Sequence, residues 1–276
     1  MASLVAEPAA ARSAPLPGTG ISIANVEVIY GVGSGEPVQA LAPVSLEIPD
    51  GSFVSLVGPS GCGKSTLLKV LADLMPPTRG RVRIGDAGPD ALRRAGRIGL
   101  VFQQANLMPW LNIEHNVRLL EDLVAAKGKG SIAQRQDVSA LLEVVGLKGF
   151  EKKLPHQLSG GMQQRAALAR ALALDPAILL MDEPFAALDE ITRDRMAFEL
   201  MRIWQHYRKT VLFVTHSLAE AVLLSDRVVL MTARPGRIHK VYEVDLPRPR
   251  NQETRLSDEF IRLVGEINRE LYKVMA

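Results

Sequence analysis

The stretch Gly58-Pro59-Ser60-Gly61-Cys62-Gly63-Lys64-Ser65-Thr66 fits the pattern G-x-x-x-x-G-K-[ST] and lies between a short apolar run, Phe53–Val57, and a helically spaced one. Glycines at such a junction let backbone N–H groups converge on a polyphosphate without side chains intervening, and the start of the helix adds partial positive charge. Lys64 is then expected to neutralise the outer phosphates and Ser65 to place its hydroxyl on Mg²⁺. A second apolar run, 178–181, ends in Asp182 and Glu183. Neighbouring residues of a strand face opposite ways, so the two carboxylates can do different work. Asp182 is expected to hold Mg²⁺ through its water shell. Glu183 is expected to polarise an attacking water as general base, a role worth roughly 10² to 10⁴ in rate. His216 follows a third apolar run and can reach the same region, because ligands of parallel sheets bind beyond the carboxyl ends of the strands. Cys62 lies inside the glycine loop, beside a helix start and Lys64, so its thiol is expected to be open to alkylation, with loss of activity and protection by bound nucleotide.

The elements that must carry these groups follow from the apolar pattern. Runs at 98–102, 177–181, 211–214 and 228–231 are short and rich in branched residues, as buried strands of a mostly parallel sheet are. Ile21–Tyr30 and 44–48 alternate apolar and polar residues, which predicts an antiparallel sheet near the start. The loop joining them holds Gly31, Gly33 and Gly35 with no suitably spaced helix after it, so it is a turn rather than a dinucleotide fingerprint. Helical spacing over 64–75 stops at Pro76 and Pro77. Strand signals vanish between Gln104 and Ser159, while 117–126 and 138–145 are helically periodic, which predicts a helical insertion. Near the end, Phe260, Val264, Ile267 and Leu271 form an apolar stripe, with Ser257 placed to cap and Asp258 and Glu259 in the first turn. The fold class is therefore α/β: a RecA-like P-loop NTPase sheet with an antiparallel β subdomain and an inserted α-helical one.

With 276 residues, 47% hydrophobic and 23% charged, the chain can bury the core of one ordinary globular domain. A formal charge of +3 is too small, and too evenly spread, to argue for a nucleic-acid surface or a polybasic membrane anchor. A single cysteine fits a reducing compartment. No apolar run approaches the roughly 18 to 20 residues of a membrane span, and the Ala/Pro/Ser/Gly-rich first twenty residues lack a signal-peptide layout. They read as a disordered tail.

Leu158-Ser159-Gly160-Gly161-Met162-Gln163-Gln164-Arg165 resembles the signature motif of ABC ATPases. Ser159 and the amides of Gly160 and Gly161 open a helix and so make a second anion site. The resemblance extends from Ile21 to about Leu246. It implies that Tyr30 stacks on adenine, that Gln103 senses metal and γ-phosphate, and that Ala186-Ala187-Leu188-Asp189 crosses a dimer interface. It also implies that His216 is a switch histidine and that Ser65, Gln103 and Asp182 surround the metal. Met162 departs from the glutamine of many members, removing a polar side chain but no backbone donor. With 181–189, Met108-Pro109-Trp110 and Leu246-Pro247-Arg248-Pro249-Arg250, the motif looks like the nitrate/sulfonate/taurine import group.

That resemblance implies ATP and Mg²⁺, a homodimer sandwiching nucleotide, and integral-membrane permease subunits docked in a groove of the helical insertion. A solute-binding protein would act indirectly, nucleic acid would have no part, and the chain would sit on the cytoplasmic face of the membrane. Trp110 is either core or a docking contact. The implied division is a tail at 1–20, an ATPase domain at 21–246 with the helical part at 104–164, and an extension at 247–276. The competing readings are an ABC ATPase not coupled to transport, or a switch that hydrolyses nothing; Glu183 and His216 speak against the second.

Overall fold

The computed structural model describes residues 18–33, 36–126, 136–186 and 188–275. The chain opens with β1 (Ile21–Tyr30), β2 (Val38–Ile48) and β3 (Phe53–Val57), then α1 (Lys64–Leu71), β4 (Arg79–Ile84), α2 (Pro89–Arg94) and β5 (Ile98–Val101). A helical stretch follows, α3 (Ile113–Ala126), α4 (Val138–Val144) and α5 (Gly160–Leu172). Strands and helices then alternate as β6 (Ile178–Asp182), α6 (Glu190–Tyr207), β7 (Thr210–Val214), α7 (Leu218–Leu224) and β8 (Arg227–Thr232). β9 (Arg237–Glu243), α8 (Gln252–Leu256) and α9 (Asp258–Met275) close the chain.

The main sheet has six strands in the order β5-β6-β7-β3-β8-β9, parallel except for the antiparallel edge strand β9. Its central strands are buried on both faces, which is why they read as continuous apolar runs. Alternate residues divide between two cores. Leu179, Met181, Val211, Phe213, Val228 and Leu230 face α5, α6, α7 and α9. Ile178, Leu180, Leu212, Val214, Val229 and Met231 face α1 and the second sheet. On the first side Phe53 meets Trp204 edge-on at 5.8 Å between centroids and Phe213 at 5.7 Å, the offset and tilted geometries aromatic rings prefer.

The second sheet is antiparallel, in the order β2-β1-β4. Its strand β4 escapes sequence reading because Arg79, Arg81 and Arg83 leave only Val82 and Ile84 as apolar residues on a largely exposed edge. β9 is exposed along most of its length for the same reason. α1 stops at Leu71, short of Pro76, and Asp73 turns left-handed with φ 53. Of the expected disordered tail, residues 1–17 lie outside the described residues. Residues 18–20 are seated on the sheet, with Gly20 O accepting from Gly85 N at 2.8 Å.

After Leu246 the chain is drawn into the fold. The buried Arg250 guanidinium donates to the carbonyls of Val222, Leu223 and Ser225 at the end of α7, and to those of Val244 and Leu246. These are carbonyls that a helix end leaves without partners of its own. Arg248 pairs with Asp226 and lies over the Trp204 ring at 4.4 Å. α9 starts as expected, Ser257 Oγ accepting from Phe260 N at 3.3 Å, and buries Phe260, Leu263 and Ile267. Among the described residues no helix is long and apolar enough to cross a membrane.

Candidate functional site

Strand order brings the chemistry together. β6, β7 and β3 are neighbours, and their carboxyl ends are held level by main-chain bonds: Glu183 N to Val214 O at 2.9 Å and Thr215 N to Leu56 O at 3.2 Å. The glycine loop after β3, the acid pair after β6 and His216 after β7 therefore leave the sheet side by side. This is the edge at which open α/β sheets bind ligands.

The loop is shaped by its glycines. Gly63, with φ 89, precedes α1 as its N-cap and has no side chain to occupy the free amides; a Cβ there would lie 2.4 Å from Leu41 Cδ2. Gly61, with φ 75, would direct a Cβ into open space. Pro59 O accepts from Cys62 N at 3.3 Å, tightening the turn between Pro59 and Cys62 that includes Ser60. Lys64 is nearly buried and donates to Gly58 O at 2.8 Å and Pro59 O at 3.0 Å, so its ammonium spans the mouth of the loop. Cys62 is fully buried, with Sγ 3.6 Å from Lys64 Nζ. That burial corrects the expectation of an accessible thiol: a reagent reaches Sγ only if the loop opens.

Ser65 Oγ donates to Asp182 Oδ1 at 2.9 Å, linking the first turn of α1 to the end of β6. Burial pushes the Asp182 carboxyl above the usual range, while the Ser65 bond and the Lys69 and Lys64 charges pull it back and Glu183 pushes it further up. A half-buried carboxylate beside a hydroxyl, both hard oxygen donors, fits Mg²⁺, whose charge would favour the ionised acid. Among the described residues no group of three His, Cys, Asp or Glu gathers around one point. A magnesium ion here would thus keep water and phosphate oxygens in its other positions, as is usual for that ion.

Glu183 separates from Asp182 by a different route from strand alternation. β6 ends at Asp182, and Glu183 adopts φ 45, a left-handed conformation uncommon for a residue with a side chain. Its Oε2 lies 3.5 Å from His216 Nδ1. Together the acid and the imidazole can position and polarise one water molecule at the strand ends.

The other expected residues are distributed around this centre. Tyr30, at the end of β1, brings its hydroxyl within 3.2 Å of Thr66 Oγ1 in α1. Ser159 caps α5, accepting from Met162 N at 3.3 Å, and Met162 packs on the core rather than projecting. Gly160 and Gly161 lie under Leu188 and Thr192, with Cβ positions 3.7 and 3.2 Å from the nearest side-chain carbons. Asp189 caps α6 through Thr192 N at 3.0 Å, and bonds to Thr192 hold its carboxyl below the usual range. Of the loop before it, Ala187 lies outside the described residues. Trp110 is 73% exposed, which removes core packing as its role.

Sequence reading misses the groups that hold Gln103. Gln164 Nε2, from α5, donates to Phe102 O at 2.9 Å and Gln103 O at 3.3 Å, and Arg170 donates to Asn106 O and Ala105 O, each at 2.7 Å. The segment leaving β5 is thus fastened by its backbone to the helix that Ser159 opens. The only signal for it is that Gln164 and Arg170 are polar in an otherwise alanine-rich helix.

Comparison with known proteins gives the family. The sequence profile of the ABC transporter family matches residues 41–186. An uncharacterised ABC transporter ATP-binding protein of Methanocaldococcus jannaschii is 50% identical over 231 residues, 83% of this chain and 82% of that protein. The taurine import ATP-binding protein of Roseobacter denitrificans is 44% identical over 229 residues, 82% of each. A solved dimeric bacterial ABC transporter cassette superposes with a TM-score of 0.67 at 36% identity, covering 81% of this chain and 98% of that one. The P-loop ATPase fold and the helical insertion are those of this group, and the chain belongs to the ABC transporter family as an ATP-hydrolysing ATP-binding protein.

Proposed function

We propose that this chain energises an importer for a small anion or related nutrient, of the nitrate, sulfonate or taurine kind, from the cytoplasmic face of the membrane. Its identity to the taurine import protein supports the substrate class. The dimeric state of the similar cassette supports a homodimer with ATP between the glycine loop of one copy and the Ser159–Gly161 helix start of the other. Residues 21–246 would be the ATPase domain and 104–164 the part that faces the permease, with 247–276 as an appended extension. The substrate would arrive through a solute-binding protein that this chain does not touch.

The alignment of three strand ends, with Ser65 Oγ on Asp182 and Glu183 beside His216, carries the reading of the site. Lys64 exchanges its contacts to Gly58 O and Pro59 O for phosphate oxygens, and the amides of Gly61 and of Gly63 to Thr66 complete the cradle. Tyr30 stacks on the base. Ser65, Asp182 and Gln103 would hold Mg²⁺ and its water shell, and the ion would supply positive charge to offset that of the phosphates. Glu183 takes a proton from the attacking water, and His216 orients the γ-phosphate and the Glu183 carboxylate. Asp189 and the residues before it meet the partner copy.

The experiment is Glu183→Gln. It is expected to bind ATP, release no phosphate and accumulate as a dimer in size-exclusion chromatography with Mg²⁺ and ATP. Phosphate release at the wild-type rate would remove Glu183 from the role of base.

A further inference from the structure

Behind His216 lies a buried carboxylate that the site above leaves without a task. Glu220, in the first turn of α7, is 6% exposed. Its Oε2 accepts from Thr215 Oγ1 at 2.6 Å, and Thr215 Oγ1 in turn accepts from Ser217 N at 3.0 Å. The residues on either side of His216 are thus ordered by one carboxylate. The other oxygen, Oε1, lies 3.4 Å from Nε of Arg193 in α6. A second nitrogen of the same guanidinium donates to Leu188 O at 2.9 Å, the carbonyl immediately before the α6 cap Asp189.

We propose that Glu220 and Arg193 are positioning residues that couple the loop before α6 to the histidine loop, so that the seating of Leu188 and Asp189 sets the placement of His216. The guanidinium suits this because it lies between two partners, donating to Leu188 O and pairing by charge alone with Glu220, whereas a lysine ammonium is a single point of charge on a flexible stem. The carboxylate suits it because one oxygen accepts from Thr215 while the other faces the Arg193 charge. Leu188 also packs against Gly160 and Gly161, so the same path begins at the start of the Ser159 helix. In a nucleotide sandwich, displacement of that surface by the partner copy would reach the histidine through the side chains of Arg193, Glu220 and Thr215.

This inference rests on the role given to His216, and the test separates the two. Glu220→Gln keeps the size of the side chain and an acceptor for Thr215 but turns an amide toward Arg193. Arg193→Lys keeps the charge but cannot hold Glu220 and Leu188 O together. Each is expected to lower kcat about tenfold, with KM for ATP and nucleotide affinity unchanged, as for an interaction made only in the transition state. In single-turnover phosphate release on a His216→Ala background, either substitution is expected to cost nothing further. A fully active His216→Ala would overturn the role of the histidine and this coupling with it. An impaired His216→Ala, combined with a Glu220→Gln that is unimpaired or that loses the same factor in both backgrounds, would overturn the coupling alone.

Discussion

His216 Nδ1 stands 3.5 Å from Glu183 Oε2, although neither residue belongs to a strand. Glu183 follows β6 and His216 follows β7, and both are tied to the end of β7. Glu183 donates its amide to Val214 O, and His216 follows Thr215, whose amide is bonded to Leu56 O. The separation of the two side chains is therefore set by main-chain bonds across the sheet. Catalytic geometry held by a sheet edge needs little reorganisation when the substrate binds.

The pair is expected to act as a unit. His216→Ala should lower kcat by about two orders of magnitude with KM for ATP unchanged, and combining it with Glu183→Gln should lower it little further than the glutamine alone. Steady-state phosphate release on the four proteins measures this. Independent, multiplying losses would mean that the two residues serve different steps.

Trp110 should behave as a contact surface. An indole 73% exposed contributes little to the fold, so Trp110→Ala is expected to change unfolding free energy by no more than about 0.5 kcal/mol. Basal ATP hydrolysis should be unaltered, while stimulation by reconstituted permease subunits should fall several-fold. Unchanged stimulation would remove Trp110 from the docking surface.

What could be read from the residues, and what could not, divides along physical lines. The glycine loop, the acid pair and the Ser159 motif were legible because their chemistry demands particular residue types at fixed spacing. The central strands were legible because burial on both faces leaves nothing but apolar residues. β4 and α2 were not: one is an arginine-rich edge, and the other is six residues long with none buried. The different directions of Asp182 and Glu183 have a cause the sequence does not display, since a left-handed residue after the strand, rather than alternation along it, turns the second acid away. Gln164, Arg170 and Arg250 were invisible because their partners are backbone carbonyls, which every sequence supplies.

Arg250 makes the strongest case for stability. Burial lowers its pKa to about 10, so it remains charged at pH 7, and its bonds to the ends of α7 and β9 are the compensation for that burial. Arg250→Met should leave those carbonyls without a donor and destabilise the chain by about 3 kcal/mol in urea unfolding, since a lost bond to a charged group costs roughly 1.5–3 kcal/mol and further acceptors are stranded. A loss below about 1 kcal/mol would show that water reaches the helix end.

Glu220 should make stability depend on pH in a direction opposite to that of a surface carboxylate. Burial pushes its carboxyl above the ordinary value of 4.5; Asp194 adds to that, while the Thr215 hydroxyl, Arg193 and His216 oppose it. With the folded value above the unfolded one, the folded chain retains a proton that the unfolded chain has already released. Stability contributed at this position therefore falls as pH rises from 4.5 through the raised value, and the unfavourable difference is fully present above it. Glu220→Gln has no such group, and every other titration is common to both proteins. Loss of the Arg193 pair adds an offset while Glu220 is ionised, but burial, the largest influence, fixes the sign of the slope. The unfolding free energy of Glu220→Gln relative to wild type is thus expected to increase as pH rises above 4.5 and to level off above the raised value, as read from urea transitions at matched ionic strength. A difference that stays flat, or that falls as pH rises, would mean that the pairing with Arg193 outweighs the burial, and that this carboxylate supports the fold rather than being kept at the fold's expense.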